Sequence, residues 1–503
     1  MKNSLQRTAL SAILIFSAFT SCKQDYLDVT NPNQLSDNSY FKNESELQAS
    51  VNSAYGAMQR MELYGRKYFF LYDLLSDDVR GNDPLYLDGQ TLTAYTFLAN
   101  SETVGDVWRG AYRGILRTNI TLDYSAKLPK SALLDRIIAE AYFLRGFYYF
   151  ELVQSWGGVP IRNEVGIASA PRATAAEVWA LVEADLKKAE AVLPDAYTGN
   201  DVGRATKWSA KALLGKAYLY QKKYADAAGK FKEVVDYATA NPSKIGLMAN
   251  YRDNFVELSD KDGSYIEFNK ESLFEVSFGG AERTGSFGNW GQDGPNGGEG
   301  TFRAIEYGFT IFGNTSPSLD IVAAYPDSDP RKRMNMFGPG SKINRDKVLK
   351  DYDRADWQHK KYSNLGSINS SGTDVQDFNG SSINMRVIRY ADVLLMYAEA
   401  LNAPQNGVGT QFNPLALAAL NQVRARVGLA PSTASGAADL FQAIVNERRF
   451  ELWGEQVRRK DIVRWGIARS ALGNKFVTGK HELLPIPQTE LDLNPGMAQN
   501  PGY

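Results

Sequence analysis

The sequence predicts a mainly α-helical fold: a tetratricopeptide-like helical-repeat scaffold carrying a loop-rich lobe with a few short strands. Three observations predict it. Long blocks place apolar residues at helical spacing. One block, residues 206–238, has the residue offsets of a tetratricopeptide repeat. Two stretches rich in glycine, serine and asparagine interrupt the helical texture. At 503 residues the chain can bury a large core and hold more than one structural unit.

The N-terminus reads first. Lys2 and Arg7 precede an uncharged, mostly apolar run at 9–19, too short for a bilayer core and suited to a signal-peptide core. Thr20 and Ser21 then lead into Cys22, the only cysteine in the chain. The pattern resembles a bacterial lipobox, although Phe19 stands where leucine is usual. Residues 1–21 are therefore read as a lipoprotein leader and Cys22 as the lipidated residue, which would anchor the chain without a spanning helix.

The helical blocks follow. In 135–161, Ile137, Ala141, Leu144, Tyr148 and Leu152 share a face until Gly157-Gly158 ends the run. Residues 174–194 repeat the pattern up to Pro194. In 206–238, Leu214, Gly215, Tyr218, Ala227 and Phe231 alternate small and bulky residues where two helices would touch. Residues 387–402 and 414–429 form a second pair, and 438–456 a last long helix leading into 458–466. The expected regions are 22–240, a helical-repeat half, and 241–503, which holds the loops, the helix pair and the C-terminal tail.

Between the helices, residues 277–302 hold nine glycines, too many for a helix or a central strand. Residues 326–386 are also turn-rich, and "PDSDPRKR" at 326–333 reads as a solvated turn. The embedded Phe287, Trp290, Phe302 and Trp357 argue against simple disorder.

Composition closes many functions. A net charge of −1 gives no polybasic surface for nucleic acid. One cysteine excludes a disulfide framework and a thiolate metal site, and two histidines, His359 and His481, leave little room for a His-ligated metal or a Ser-His-Asp centre. No cofactor is expected. Glu447, Glu451 and Glu455 share one helix face, and the pair Glu447/Glu451 could in principle hydrolyse a glycoside. Five arginines crowd the same segment, so a structural ion network is the favoured reading.

Six segments, taken in order, resemble the SusD/RagB family of Bacteroidetes outer-membrane lipoproteins. They are "SCKQDYLD" at 21–28, "AEAYFLRGFYYFELVQSWGGVPI", "RATKWSAKALLGKAYLYQKKYADAA", "VIRYADVLLMYAEALN", "NERRFELWGEQVRRKDIVRWG" and "LLPIPQTELDLNPGMAQNPGY". The resemblance implies a cell-surface nutrient-binding protein, usually of glycans. It would act as a lid on a SusC-like, TonB-dependent barrel transporter through its tetratricopeptide-type helices, with no catalysis. It further implies that the early loop and the lobe loops meet to form the glycan site. Sugar recognition needs flat aromatic faces and fork-like polar groups. The expected platforms are Trp290, Phe287, Tyr86, Tyr95, Tyr307 and Trp357, with Asp77, Arg80 and Asn82 as polar partners. A secreted glycosidase, and a scaffold that binds only proteins, remain as alternatives. If Cys22 is the anchor, Cys22→Ala should move the protein from the membrane to the soluble fraction. Retention on membranes in high salt would contradict the assignment.

Overall fold

The computed structural model describes residues 41–82, 87–166, 169–258, 264–279, 300–309, 312–343, 348–349, 356–363, 365, 381–403 and 412–503. The chain divides into two units, 1–46 and 47–503. Of the first, 41–46 are described, and the remainder of the description concerns the second.

The N-terminal half supplies helices α1 (Glu44–Gln59) and α2 (Lys67–Leu74), strand β1 (Val79–Gly81), and helices α3 (Leu87–Ala94), α4 (Glu102–Ser125), α5 (Ala132–Trp156), α6 (Ala175–Val192), α7 (Lys207–Tyr220) and α8 (Tyr224–Ala240). Their starts are set locally. Ser101 caps α4 and Ser131 caps α5, each side chain accepting a free N–H of the first turn. Thr174 with Glu177, and Thr206 with Ser209, close reciprocal capping boxes on α6 and α7. Gly157, at φ +72°, stops α5 in a conformation that favours glycine.

From α4 to α8 each helix packs on the one before it. The face predicted for α5 is buried throughout: Ile137, Ala141, Leu144, Tyr148 and Leu152. The tetratricopeptide positions Leu214, Tyr218, Ala227 and Phe231 are buried between α7 and α8. A Cβ on Gly215 would lie 2.7 Å from Phe231 Cε1, so the glycine lets the two helices close.

The lobe follows, with β2 (Ser272–Val276), α9 (Arg303–Tyr307), β3 (Thr315–Pro317), α10 (Leu319–Ala324), α11 (Arg331–Asn335), β4 (Met336–Phe337), β5 (Gln358–His359) and β6 (Met385–Arg389). The strands pair antiparallel as β1–β3, β2–β6 and β4–β5. The chain then returns to helices α12 (Tyr390–Asn402), α13 (Pro414–Arg426), α14 (Ala437–Glu451), α15 (Arg458–Arg464), α16 (Ala468–Leu472) and α17 (Gln488–Leu493). Helix α12 packs on α8, and α13 and α14 pack on α12. The helical stack therefore continues past the lobe, which is an excursion between two neighbouring helices. The fold is mainly helical with a few short strands. The C-terminal tail ties down the end of α5: Trp156 Nε1 donates to Pro485 O at 2.9 Å, and Asn500 Nδ2 donates to Trp156 O and Leu484 O. Among the described residues no helix is long and apolar enough to cross a membrane.

The solvated turn expected at 326–333 is corrected by the structure. Asp329 and Arg331 are buried, because Arg331 bonds Asp329, Glu447 (2.6 Å) and Glu451 (2.8 Å). This is part of an ion network in which Asp329, Glu271, Glu447, Glu451 and Glu455 meet Arg331, Lys361, Arg389, Arg424 and Arg426. Burial alone would raise the Glu451 pKa, but Arg426, Arg389 and Arg331 outweigh it and hold the carboxyl well below its usual range. Its stabilising contribution is therefore full above the unfolded value of ~4.3 and is lost as pH falls through the lower folded value. Glu451→Gln should cost roughly 3–5 kcal/mol near neutral pH, because it leaves buried arginines short of a counter-charge. Urea unfolding across an acid pH series should also show a shallower slope below ~4.3. An unchanged slope would contradict the network.

Candidate functional site

The early loop and the lobe are joined by backbone pairing. In β1–β3, Val79 faces Pro317, Arg80 faces Ser316 and Gly81 faces Thr315. The next connection is through side chains: Thr315 Oγ1 lies 3.2 Å from His359 Nε2 on β5. Strand β5 pairs in turn with β4, Met336 opposite His359. Arg80, far away in sequence, is thereby carried to the residues just before β5. Its Nη2 donates to Asp356 Oδ2 at 2.6 Å.

Beside that pair is Trp357, half-buried. The Arg333 guanidinium lies 4.7 Å and the Lys332 ammonium 5.2 Å from its ring centroid. Gly338 makes room for the indole, since a Cβ there would come within 2.7 Å of Trp357 Cη2. Asn82 continues the edge: its backbone N–H donates to Asn314 O, and its amide donates to Gly313 O and Ser316 Oγ, both at 2.8 Å. Among the described residues no hydrogen bond uses the side-chain carbonyl of Asn82.

Behind β1 the anchoring is ionic. Asp77 pairs with Arg458 (2.7 Å) and Arg449 (3.1 Å), and Asp78 with Arg449 (2.7 Å). Burial opposes ionisation of Asp77, but Arg458 and Arg449 lower its pKa. Burial, and then the neighbouring Asp77, push Asp78 up to about 6. The strand is thus held to α14 and α15 from behind, while Arg80 and Asp356 remain substantially exposed in front.

Of the residues expected at the site, Arg80 and Asn82 lie along one strand edge, and Trp357 follows Arg80's partner Asp356 in the chain with its indole packed against Met336 and Trp453. Three expectations are corrected. Tyr95 is 4% exposed, its hydroxyl donates to Leu75 O, and its ring packs on Phe97, Phe476 and His481. Tyr307 is 3% exposed, and its hydroxyl donates to Asp73 Oδ2 at 2.8 Å. Neither ring has an open face for a ligand. Asp77 is engaged by two arginines and supports the strand instead of facing solvent. Tyr86, Phe287, Trp290 and Cys22 lie outside the described residues.

Sequence reasoning missed Asp356 and Arg333. Nothing local marks Asp356 as Arg80's partner, since the two meet only through the strand pairing. Arg333 belongs to the segment read as a solvated turn.

The carboxylate pair weighed for hydrolysis is sequestered. Glu447 and Glu451 are buried and fully engaged by Arg331, Arg389, Arg424 and Arg426. A carboxylate held ionised by three arginines, as Glu451 is, cannot serve as a general acid. His359 is kept neutral by burial and by Arg303, and stacks on Trp453. Among the described residues no group of three or more His, Cys, Asp or Glu side chains could hold a metal ion.

At the edge of β1 the exposed Arg80–Asp356 pair and Asn82 lie on loops carried by the helical stack, while the indole of Trp357, next to Asp356 in the chain, packs against Met336 and Trp453. The fold is that of a helical-repeat protein whose loops are displayed on a helical scaffold. Comparison with known proteins gives the family. A model described as "SusD family" matches residues 270–481, and one described as "Starch-binding associating with outer membrane" matches residues 25–219. The chain belongs to the SusD/RagB family, and so to the SusD-like carbohydrate-binding proteins associated with the outer membrane. A SusD-like protein of Formosa agariphila is 28% identical, with 99% of each chain covered. A solved laminarin-binding SusD-like protein is 29% identical, with a TM-score of 0.73, covering 92% of this chain and all of that one. A SusD superfamily protein from Bacteroides vulgatus has the same fold, with a TM-score of 0.75 at 23% identity, covering 92% of this chain and all of that one.

The placement of Tyr307 has a testable consequence. Tyr307→Phe removes a hydroxyl bonded to buried Asp73 and should lower stability by about 1–3 kcal/mol while leaving glycan affinity unchanged. Thermal melts and calorimetry check both halves.

Proposed function

We propose that the protein is a cell-surface glycan-binding lipoprotein. It is anchored through Cys22 to the outer membrane and delivers oligosaccharide to a SusC-like TonB-dependent transporter without cleaving it. The observation that carries this reading is the exposed Arg80–Asp356 pair on a SusD-family scaffold, with Asn82 on the same strand edge and Trp357 next to Asp356 in the chain. In the proposal a sugar ring lies on the Trp357 indole, where its C–H face meets the aromatic surface. Arg80 donates to adjacent hydroxyls, Asp356 accepts from them, and the Asn82 carbonyl takes a further one. Their exposed ion pair contributes little to stability, so opening it for a ligand costs little.

Trp290, Phe287 and Tyr86 are the candidates for a second platform. The leader pattern at 1–22 supports the anchor, and family membership supports the transporter as partner. The laminarin-binding relative makes laminarin the first polymer to test.

Isothermal calorimetry with laminarin, starch and other soluble glycans tests the reading. For whichever glycan binds, Trp357→Ala should weaken affinity by roughly 1–3 kcal/mol, by analogy with stacked bases, measured at a temperature where a thermal melt shows the variant folded, since the indole also packs against Met336 and Trp453. Binding unaffected by the substitution would remove Trp357 from the site. No binding to any glycan would favour a scaffold that engages only protein partners.

A further inference from the structure

A second recognition surface lies on the scaffold side of the lobe. Two adjoining clefts of about 290 and 220 Å³ open between the turn at 199–204 and the segment 268–277, and both are lined by Gly203, Arg204 and Phe268. Together they fall within the ~300–1,000 Å³ typical of ligand sites.

Phe268 divides them. It adopts φ +54°, a left-handed conformation that is an outlier for a bulky side chain. Three contacts impose it. Its N–H donates to Glu275 Oε1 at 2.9 Å. Glu275 is itself held by Asn384 Nδ2 (2.7 Å) and Arg386 (2.8 Å). Gly203, at φ +96°, lies under the ring, where a Cβ would come 2.5 Å from Phe268 Cε1. Yet the ring is only half-buried. The partly buried ring lines both clefts, so a ligand in either one would meet it.

A second aromatic lines the larger cleft. Trp208 is half-buried and backed by Tyr237, with ring centroids 3.8 Å apart and planes 25° from parallel, so its orientation is set. Ser243, Lys244 and Lys270 add hydroxyl and ammonium groups to the same wall. The ionised groups at the partition are already matched, Arg204 to Glu140 and Asp201, and Glu275 to Arg386.

We propose that this groove is a second carbohydrate site, taking a linear oligosaccharide. Two aromatic platforms lining adjoining clefts suit sugar rings, and Ser243, Lys244 and Lys270 offer donors to their hydroxyls. It shares no residue with the Trp357 site and does not depend on the reading proposed for it.

The test uses the mature chain carrying Trp357→Ala, with laminarihexaose, maltohexaose, cellohexaose and mannohexaose as probes. At least one should slow amide hydrogen exchange in both 197–208 and 266–276. Phe268→Gly removes the ring while suiting the left-handed backbone, so it should keep the melting temperature. It should weaken that binding roughly tenfold. Trp208→Ala should weaken it similarly. Failure of all four sugars to protect these segments, or protection that survives Phe268→Gly, overturns the proposal.

Discussion

The lobe and the helical stack are held together by charges that cannot be left alone. Arg389, at the end of β6, bonds Glu271, Glu451 and Glu455 with 1% of its surface exposed. Arg426 and Arg331 approach Glu451 from α13 and α11. Removing such groups from water costs several kcal/mol each, and only close opposite charge with full hydrogen bonding offsets it. The five carboxylates and five cations therefore satisfy one another in one arrangement of β2, β6, α11, α13 and α14. A lobe made of two-stranded ribbons has little core of its own, and the network supplies the register that the ribbons lack.

That constraint reaches the recognition surface. Helix α14, which contributes Glu447 and Glu451 to the network, also carries Arg449, which holds Asp77 and Asp78 behind β1. Strand β1 then presents Arg80 to Asp356 beside Trp357. Strong, desolvated pairs lie behind the strand and a weak, solvated pair in front. An edge built this way is rigid in its support, while its exposed pair costs little to open.

Much of the scaffold was legible in the sequence. The α5 face and the Gly215–Phe231 contact are local signals, and local periodicity is enough to read them. The site was legible only in part. Arg80, Asn82 and Trp357 were singled out as residue types suited to sugars; the structure puts Arg80 and Asn82 on one strand edge and pairs Arg80 with Asp356, the residue before Trp357. Tyr95 and Tyr307 are the same residue type but are core, because a tyrosine buries or exposes its ring according to neighbours that arrive from elsewhere in the chain. Asp329 and Arg331 misled in the opposite direction. A charged turn reads as solvated unless its partners, here on α14, are known.

By itself the sequence determined the helical stack, the stops at Gly157-Gly158 and Pro194, and a family membership spread over six ordered segments. Those are properties of neighbours within a few turns of one helix, or of patterns that survive without coordinates. Tertiary structure alone decided which charges are buried, which aromatics remain open, and that residues 77–82 meet residues 313–317 and 356–359. The physical reason is range. Helix periodicity is written within about four residues, whereas desolvation and ion pairing depend on every atom nearby, however distant in sequence.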